Sequence, residues 1–111
     1  DPLTDLATAL AYWVDADDPD ELQKIRWGPT NYPGSMTRKE LVQRYAQITG
    51  REVSNMAFYL GFARFKLAVI VQQIYYRYRL GLTQDERFAA MSEVVRNLLQ
   101  AAWRSAQSGS I

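Results

Sequence analysis

The side chains able to do chemistry in this 111-residue chain are few. Lys66 stands between Phe65 and Leu67 in an apolar stretch, where an unpaired ammonium is costly to bury. Two readings of it stand: it lines a pocket and meets an anionic substrate, or it pairs with a carboxylate or reaches water along its stem. Gln72 and Gln73 pose the same choice between a pocket contact and an interhelical hydrogen bond. Arg77 and Arg79 alternate with Tyr75, Tyr76 and Tyr78, a mixture that can hold phosphate or stack on bases. At helical spacing these five side chains point around most of the circumference. Packed tyrosines, with arginines snorkelling or capping a helix end, are therefore the stronger reading. Asp15, Asp17, Asp18, Asp20 and Glu21 begin like a calcium loop but lack its Gly and its closing Glu. A solvated helix end is expected there, and no metal site. With no His and no Cys, thiolate catalysis, Cys/His zinc sites and imidazole mechanisms are excluded within the chain.

Elements must position whatever remains. A hydrophobic fraction of 48% argues for a packed core over disorder. Thirteen basic against twelve acidic residues leave a formal charge of +1, without the basic excess usual in nucleic-acid binders. The uncharged apolar stretch Leu67 to Tyr76 is interrupted by Gln72 and Gln73 and is too short to span a bilayer. No membrane association is expected, and a cytoplasmic location is. The opening Asp1-Pro2-Leu3-Thr4-Asp5 has no signal-peptide pattern; a trimmed product or an excised fragment is the expectation.

Helical periodicity recurs four times and strand alternation not at all, so the fold class expected is all-α, a four-helix assembly. Leu3, Leu6, Leu10, Trp13 and Val14 form a stripe over residues 2–14, with Asp1 as cap and Pro2 at the first position. The stretch 20–36 reads as loop, with one helical turn near Leu22 and Ile25 and turns at Gly28-Pro29 and Pro33-Gly34. Thr37 to Glu40 is a capping box opening a helix over 38–49, with stripe Leu41, Tyr45 and Ile48 and with Gly50 as C-cap. Ser54 is the expected cap of a long helix over 55–80. Phe58, Phe62, Phe65 and Val69 are expected on one buried stripe of it, and Leu60, Leu67, Ile70, Ile74 and Tyr78 on a second. Thr83 to Glu86 reads as another capping box, opening a helix over 85–105. Its stripe is Phe88, Met91, Val95, Leu98 and Ala102, and a frayed polar tail is expected from Ser105. Thr37 to Gly50 followed by Val53 to Leu67 could imitate a helix-turn-helix, but beyond Asn55 the second helix lacks side chains suited to base edges.

The opening Asp1-Pro2-Leu3-Thr4-Asp5-Leu6-Ala7 resembles a segment of the aminoglycoside phosphotransferase and choline kinase-like family, where a Gly-Asp-Pro-x-x-Asp-Leu-Ala stretch follows the metal-binding Asp and opens the C-terminal helical subdomain. Thr37-Arg38-Lys39-Glu40-Leu41 to Tyr45, Thr49-Gly50-Arg51, and Phe62 to Ile70 followed by Ile74 to Tyr78 look like the branch that includes the kinase-like regions of certain acyl-CoA dehydrogenase proteins. The resemblance spans nearly all of residues 1–111. It implies a two-lobed kinase-like fold of which this chain is the C-terminal helical subdomain. The implied reaction is γ-phosphoryl transfer from ATP to a substrate hydroxyl with magnesium. The family's His-Gly-Asp loop and Asp-Trp-Glu segment would precede Asp1, so no catalytic residue and no cofactor belongs to this chain. ATP and magnesium are implied only for the parent enzyme, and the chain is expected to be inactive alone. Asp5 matches the helix-borne Asp that holds the catalytic loop in this family; simple helix capping would use the same chemistry. Tyr12, Lys66, Gln73 and Tyr76 are the candidate substrate contacts. The implied partners are the N-terminal remainder of the polypeptide and a hydroxyl-bearing substrate, an acyl-CoA or similar metabolite. The rival reading is a helical interaction module, dimerising through exposed apolar surface.

Overall fold

The computed structural model describes residues 1–25 and 27–111, and among them every regular element is helical. α1 covers Pro2–Ala11, α2 Asp20–Gln23, α3 Arg38–Thr49, α4 Met56–Arg79 and α5 Met91–Ser108, with a 3₁₀ turn at Glu86–Ala90 before α5. α4 and α5 form the principal packed pair, and α1 lies against α4. The core is Leu10, Met56, Leu60 and Leu98, each at most 2% exposed, with Ala7, Ala63, Ala68, Val71 and Ala101 around them. Burying each large aliphatic side chain contributes roughly 1.5–3 kcal/mol.

Small residues set how closely α4 and α5 approach. A Cβ placed on Gly61 would lie 3.2 Å from the Ala102 carbonyl oxygen and 3.7 Å from Ser105 Cβ. Gly61 on α4 thus meets Ala102 and Ser105 on α5 almost backbone to backbone, whereas Ala63 faces α1 beside Thr8, Ala11 and Tyr12. The large aromatics fall elsewhere. Phe58, Phe62, Phe65 and Val69 share one face of α4 as their spacing requires, but they are 69%, 48%, 50% and 42% exposed. The expectation that this stripe is buried is therefore wrong. Close helix packing selected the small-residue face, leaving the bulky one bare beside Leu99 and Trp103 of α5. Of the second stripe, Leu60 and Leu67 are buried, whereas Ile70 is 48% exposed.

Boundaries shifted for identifiable reasons. α1 stops at Ala11 and not at residue 14, because Tyr12 and Trp13 donate to Ala9 and Leu10 in a tightened last turn. The side chain of Thr37 and that of Glu40 make the expected capping box, and Gly50 takes the left-handed C-cap at φ 70°. Ser54 does not cap α4; Asn55 holds that position, without a side-chain hydrogen bond. Asp85, not Thr83, caps the 3₁₀ turn by accepting from the Arg87 backbone N–H. Ser105 is buried within α5, which runs on to Ser108 where fraying was expected. α3 buries only Arg38 and Val42, with Ile48 69% exposed, so instead of completing a four-helix assembly it flanks a core built on α1, α4 and α5, to which α2 adds Leu22. By length and mean hydropathy alone α4 would suffice to cross a bilayer. Nine of its residues are instead buried within the protein, Arg64 among them.

The stretches on either side of α2, residues 12–19 and 27–36, are pinned by side chains. Thr30 Oγ1 accepts from Val14 N at 2.9 Å and donates to Val14 O at 2.8 Å. Trp13 Nε1 donates to Met36 O at 2.8 Å, and Gln23 Nε2 donates to Asp15 O at 2.6 Å. This lattice carries Asp15 and Asp18 to the start of α3.

Candidate functional site

The four candidate substrate contacts divide into two pairs. Tyr12 and Lys66 line one small cavity of about 90 Å³ between α1 and α4, with Thr8, Ala11, Ala63 and Ile70. Tyr12 meets Trp27 edge-on at 5.5 Å between ring centroids. Lys66 is exposed, with its Nζ 5.7 Å from the centre of the Phe62 ring. This cation–π contact and the exposed position answer the question of how its charge is accommodated. Gln73 and Tyr76 lie further along α4 in an open groove of about 600 Å³ with Ile70, Gln72 and Arg77. Tyr75 and Tyr78 stack on each other at 6.5 Å. Asp5 sits exposed in the first turn of α1, about 10 Å from Tyr12 along the helix at 1.5 Å per residue. No hydrogen bond to its carboxylate is made among the described residues. The structure therefore brings Tyr12 to Lys66 and Gln73 to Tyr76, but does not gather all of them, with Asp5, into one site.

The densest polar constellation lies elsewhere and was not foreseen. Arg38 enters the first turn of α3 and is 6% exposed. Its guanidinium forks onto Asp18, with Nη2 donating to Oδ1 at 2.7 Å and Nη1 to Oδ2. Nη1 also reaches Trp13 O at 3.0 Å, and Nε donates to Ile111 O at 2.7 Å. Asp15 accepts from the Arg38 backbone N–H at 3.1 Å. Expected as solvated, the acidic cluster is instead half drawn into the fold: Asp15 and Asp18 are consumed by Arg38, and Asp17, Asp20 and Glu21 stay exposed. Burial alone would raise the Asp18 carboxyl and lower the Arg38 guanidinium. The hydrogen bonds between them outweigh it, holding Asp18 below its ordinary value and Arg38 above. For Asp15 burial prevails over Arg38, and its carboxyl is raised.

Arg64 is as deeply placed, at 5% exposure, and far less satisfied. Its side-chain hydrogen bond is from Nη1 to Ser105 Oγ at 2.9 Å, while the enclosed Nε has no partner among the described residues. Burial first, then repulsion from Arg38, lowers its guanidinium to about 10. That displacement from the ordinary guanidinium value corresponds to a cost of order 3 kcal/mol for keeping the charge indoors at neutral pH. Arg64, Arg38, Arg104 and Ser105 line a shared cleft of about 500 Å³ between the start of α3 and the C-terminal part of α5. One signal of this was present in the sequence: Arg64 falls in register with Leu60, Leu67, Ala68 and Val71, a charge inside the stripe that becomes the core.

No protein-family model, curated protein or solved structure matches this chain.

Proposed function

We propose that this chain is the substrate-side helical part of an ATP-dependent small-molecule phosphotransferase, moving a phosphoryl group to a hydroxyl, and that it is inactive by itself. The observation that carries the reading is the bare apolar face of Phe58, Phe62, Phe65, Val69, Leu99 and Trp103, 40–69% exposed, which another part of one polypeptide would cover. The family resemblance supplies the reaction class. The open Asp5 carboxylate at the start of α1 has the chemistry to accept backbone N–H groups from a neighbouring loop. The Tyr12–Lys66 cavity is too small to enclose a metabolite by itself, so those residues act as one wall of a cleft. Nothing in this chain matches the groups that hold ATP and magnesium in the family, and no step through them is assigned to it.

The same face favours a second reading, a dimerisation module without enzymatic activity. One experiment separates the two. The 111-residue chain and the longer polypeptide encoded with it are assayed for magnesium-dependent ATP consumption with hydroxyl acceptors, and their masses in solution are measured. Turnover by the longer polypeptide alone, weakened by Lys66→Met, supports the phosphotransferase. A stable dimer of the 111-residue chain, with no turnover in any longer form, replaces it with the module.

A further inference from the structure

The cleft between α3 and α5 holds a charge pattern that the phosphotransferase reading does not use. Three guanidiniums, those of Arg38, Arg64 and Arg104, line it together with the Asp18 carboxylate. Both Asp18 oxygens are engaged by Arg38, and Asp15 lies behind them on the same cation. Arg38 has its own donors committed to Asp18, Trp13 O and Ile111 O. Arg64 is therefore left buried with one neutral acceptor, the Ser105 hydroxyl. Arg104 is exposed at the rim and forms no salt bridge among the described residues. Ser105 accepts from Arg64 and so retains its O–H to donate. The uncommitted donors are thus two guanidiniums and a hydroxyl, contributed by adjacent helices to one opening.

We infer that this cleft binds a phosphate-class oxyanion, with Arg64 as its buried anchor, Ser105 as a neutral donor and Arg104 as the cation at the mouth. Guanidinium forks match phosphate oxygens and give short charge-assisted bonds. Donors arriving from several directions suit a tetrahedral group with three or four acceptor oxygens better than a planar carboxylate with two. Arg38 adds positive charge from behind while its Asp18 pair keeps it rigid. An anion here would also give Arg64 a direct ionic partner, where now Asp18 and Asp15 attract it only without a hydrogen bond, and an ionised buried group is expensive until paired. The site is separate from the Lys66 cavity: positions 64 and 66 are about 200° apart around α4. It stands or falls independently of the proposed reaction.

The test is a titration of the 111-residue chain with inorganic phosphate and, separately, with phenyl phosphate, against sodium chloride at matched ionic strength. Binding is read by calorimetry and by melting temperature. Saturating phosphate is expected to raise the wild-type melting temperature by at least ~3 °C beyond the chloride control, as ligand binding to the native state requires. Phosphate also stabilises proteins generically, so the comparison with variants decides. In Arg104→Gln, whose side chain is exposed and cannot disturb packing, affinity should fall by roughly tenfold or more, one charge-assisted contact being lost. In Arg64→Met the specific rise should vanish. Should that variant not fold, Arg64→Lys, which keeps the charge but loses the fork, should bind at least several-fold more weakly. Phenyl phosphate binding as well as the free ion identifies the site with phosphate esters of larger molecules. Binding of inorganic phosphate alone identifies it with the free ion. An equal rise in wild type and Arg104→Gln, or no calorimetric binding of either compound, overturns the inference.

Discussion

Arg38 and Arg64 are buried to the same degree, 6% and 5% exposed, yet the fold treats them in opposite ways. Arg38 is locked to Asp18 by two side-chain bonds and to the chain by two carbonyls. Arg64 has one serine. The first arrangement is structural: it fastens residues 13–18, the start of α3 and Ile111 into one body. The second leaves a charge in the core with one side-chain hydrogen bond and an enclosed Nε that has no partner among the described residues. Burial alone therefore does not say what a charged residue does; the completeness of its partners does.

The largest effect should come from Arg38→Met. The stem volume is kept, but Asp18 and Asp15 lose their cation, and removing one partner of a buried pair typically costs about 3–5 kcal/mol. Urea unfolding of the variant checks this. A loss below ~1 kcal/mol would make Arg38 no better supported than Arg64 and dissolve the contrast.

Asp18→Asn should cost about 2 kcal/mol at neutral pH, because hydrogen bonds to charged groups are worth roughly 1.5–3 kcal/mol. The pH dependence sharpens it. Asp18 has a folded-state pKa below its unfolded value, so the pair's stabilisation is present above about pH 4 and is lost as pH falls through the folded value. Asp15 runs the other way: its raised carboxyl detracts from stability above its folded value, and that deficit disappears on acidification. The gap between wild type and Asp18→Asn should accordingly narrow as the pH drops below 4, in unfolding curves measured across the acid range. A gap independent of pH would mean that the carboxylate charge is not what Arg38 requires.

Much of this was legible in the sequence, and the rest was hidden for a physical reason. The all-helical class, the Thr37 capping box, the Gly50 stop and the extent of α4 follow from local rules that act within four or five residues, whereas the expected four helices became five. Which face of α4 is buried does not. Phe58, Phe62 and Phe65 are the more hydrophobic choice, but Gly61, on the face where Ala57 and Ala68 are buried, lets α5 come closer. That gain depends on Ala101, Ala102 and Ser105, some forty residues away in sequence. The same dependence hid the site. Lys66 drew attention because its sequence neighbours are apolar, but it lies on the exposed side. Arg64, two residues earlier, occupies the core stripe, and only the packing of α4 on α5 reveals it. Likewise the acidic run appeared solvated until Arg38, more than twenty positions from Asp15, closed over it.

Ser105→Ala tests the single bond that Arg64 makes. A hydroxyl removed from a buried hydrogen bond to a charged group leaves Nη1 bare, at a cost of about 1–2 kcal/mol. In the Arg64→Met background the same change should be nearly silent, because the donor is gone. A double-mutant cycle measured by chemical denaturation should thus show coupling of about 1 kcal/mol. Additive losses would mean that Ser105 matters for packing against Gly61 and not for Arg64.

The smallest expected effect belongs to Arg64→Met itself, and it is the one most opposed to intuition about a buried charge. The guanidinium is lowered from its ordinary value to about 10, chiefly by burial. A folded value below the unfolded one means that folding disfavours the charged form. That cost is therefore present at every pH below about 10 and would be relieved only as the pH rises from there toward the unfolded-state value. Methionine fills most of the same stem and ends this cost, but gives up the Ser105 bond and some packing. The two changes are opposed and of similar size, so the net should lie within ~1 kcal/mol of wild type, on either side, in phosphate-free buffer. The contrast with Arg38→Met should then exceed 2 kcal/mol although both residues are equally buried. Unfolding free energies of the two variants, measured side by side at pH 7 in chloride, decide it. A loss for Arg64→Met matching that of Arg38→Met would show that Arg64 is as fully employed within the chain as Arg38, leaving no unmet charge in the cleft.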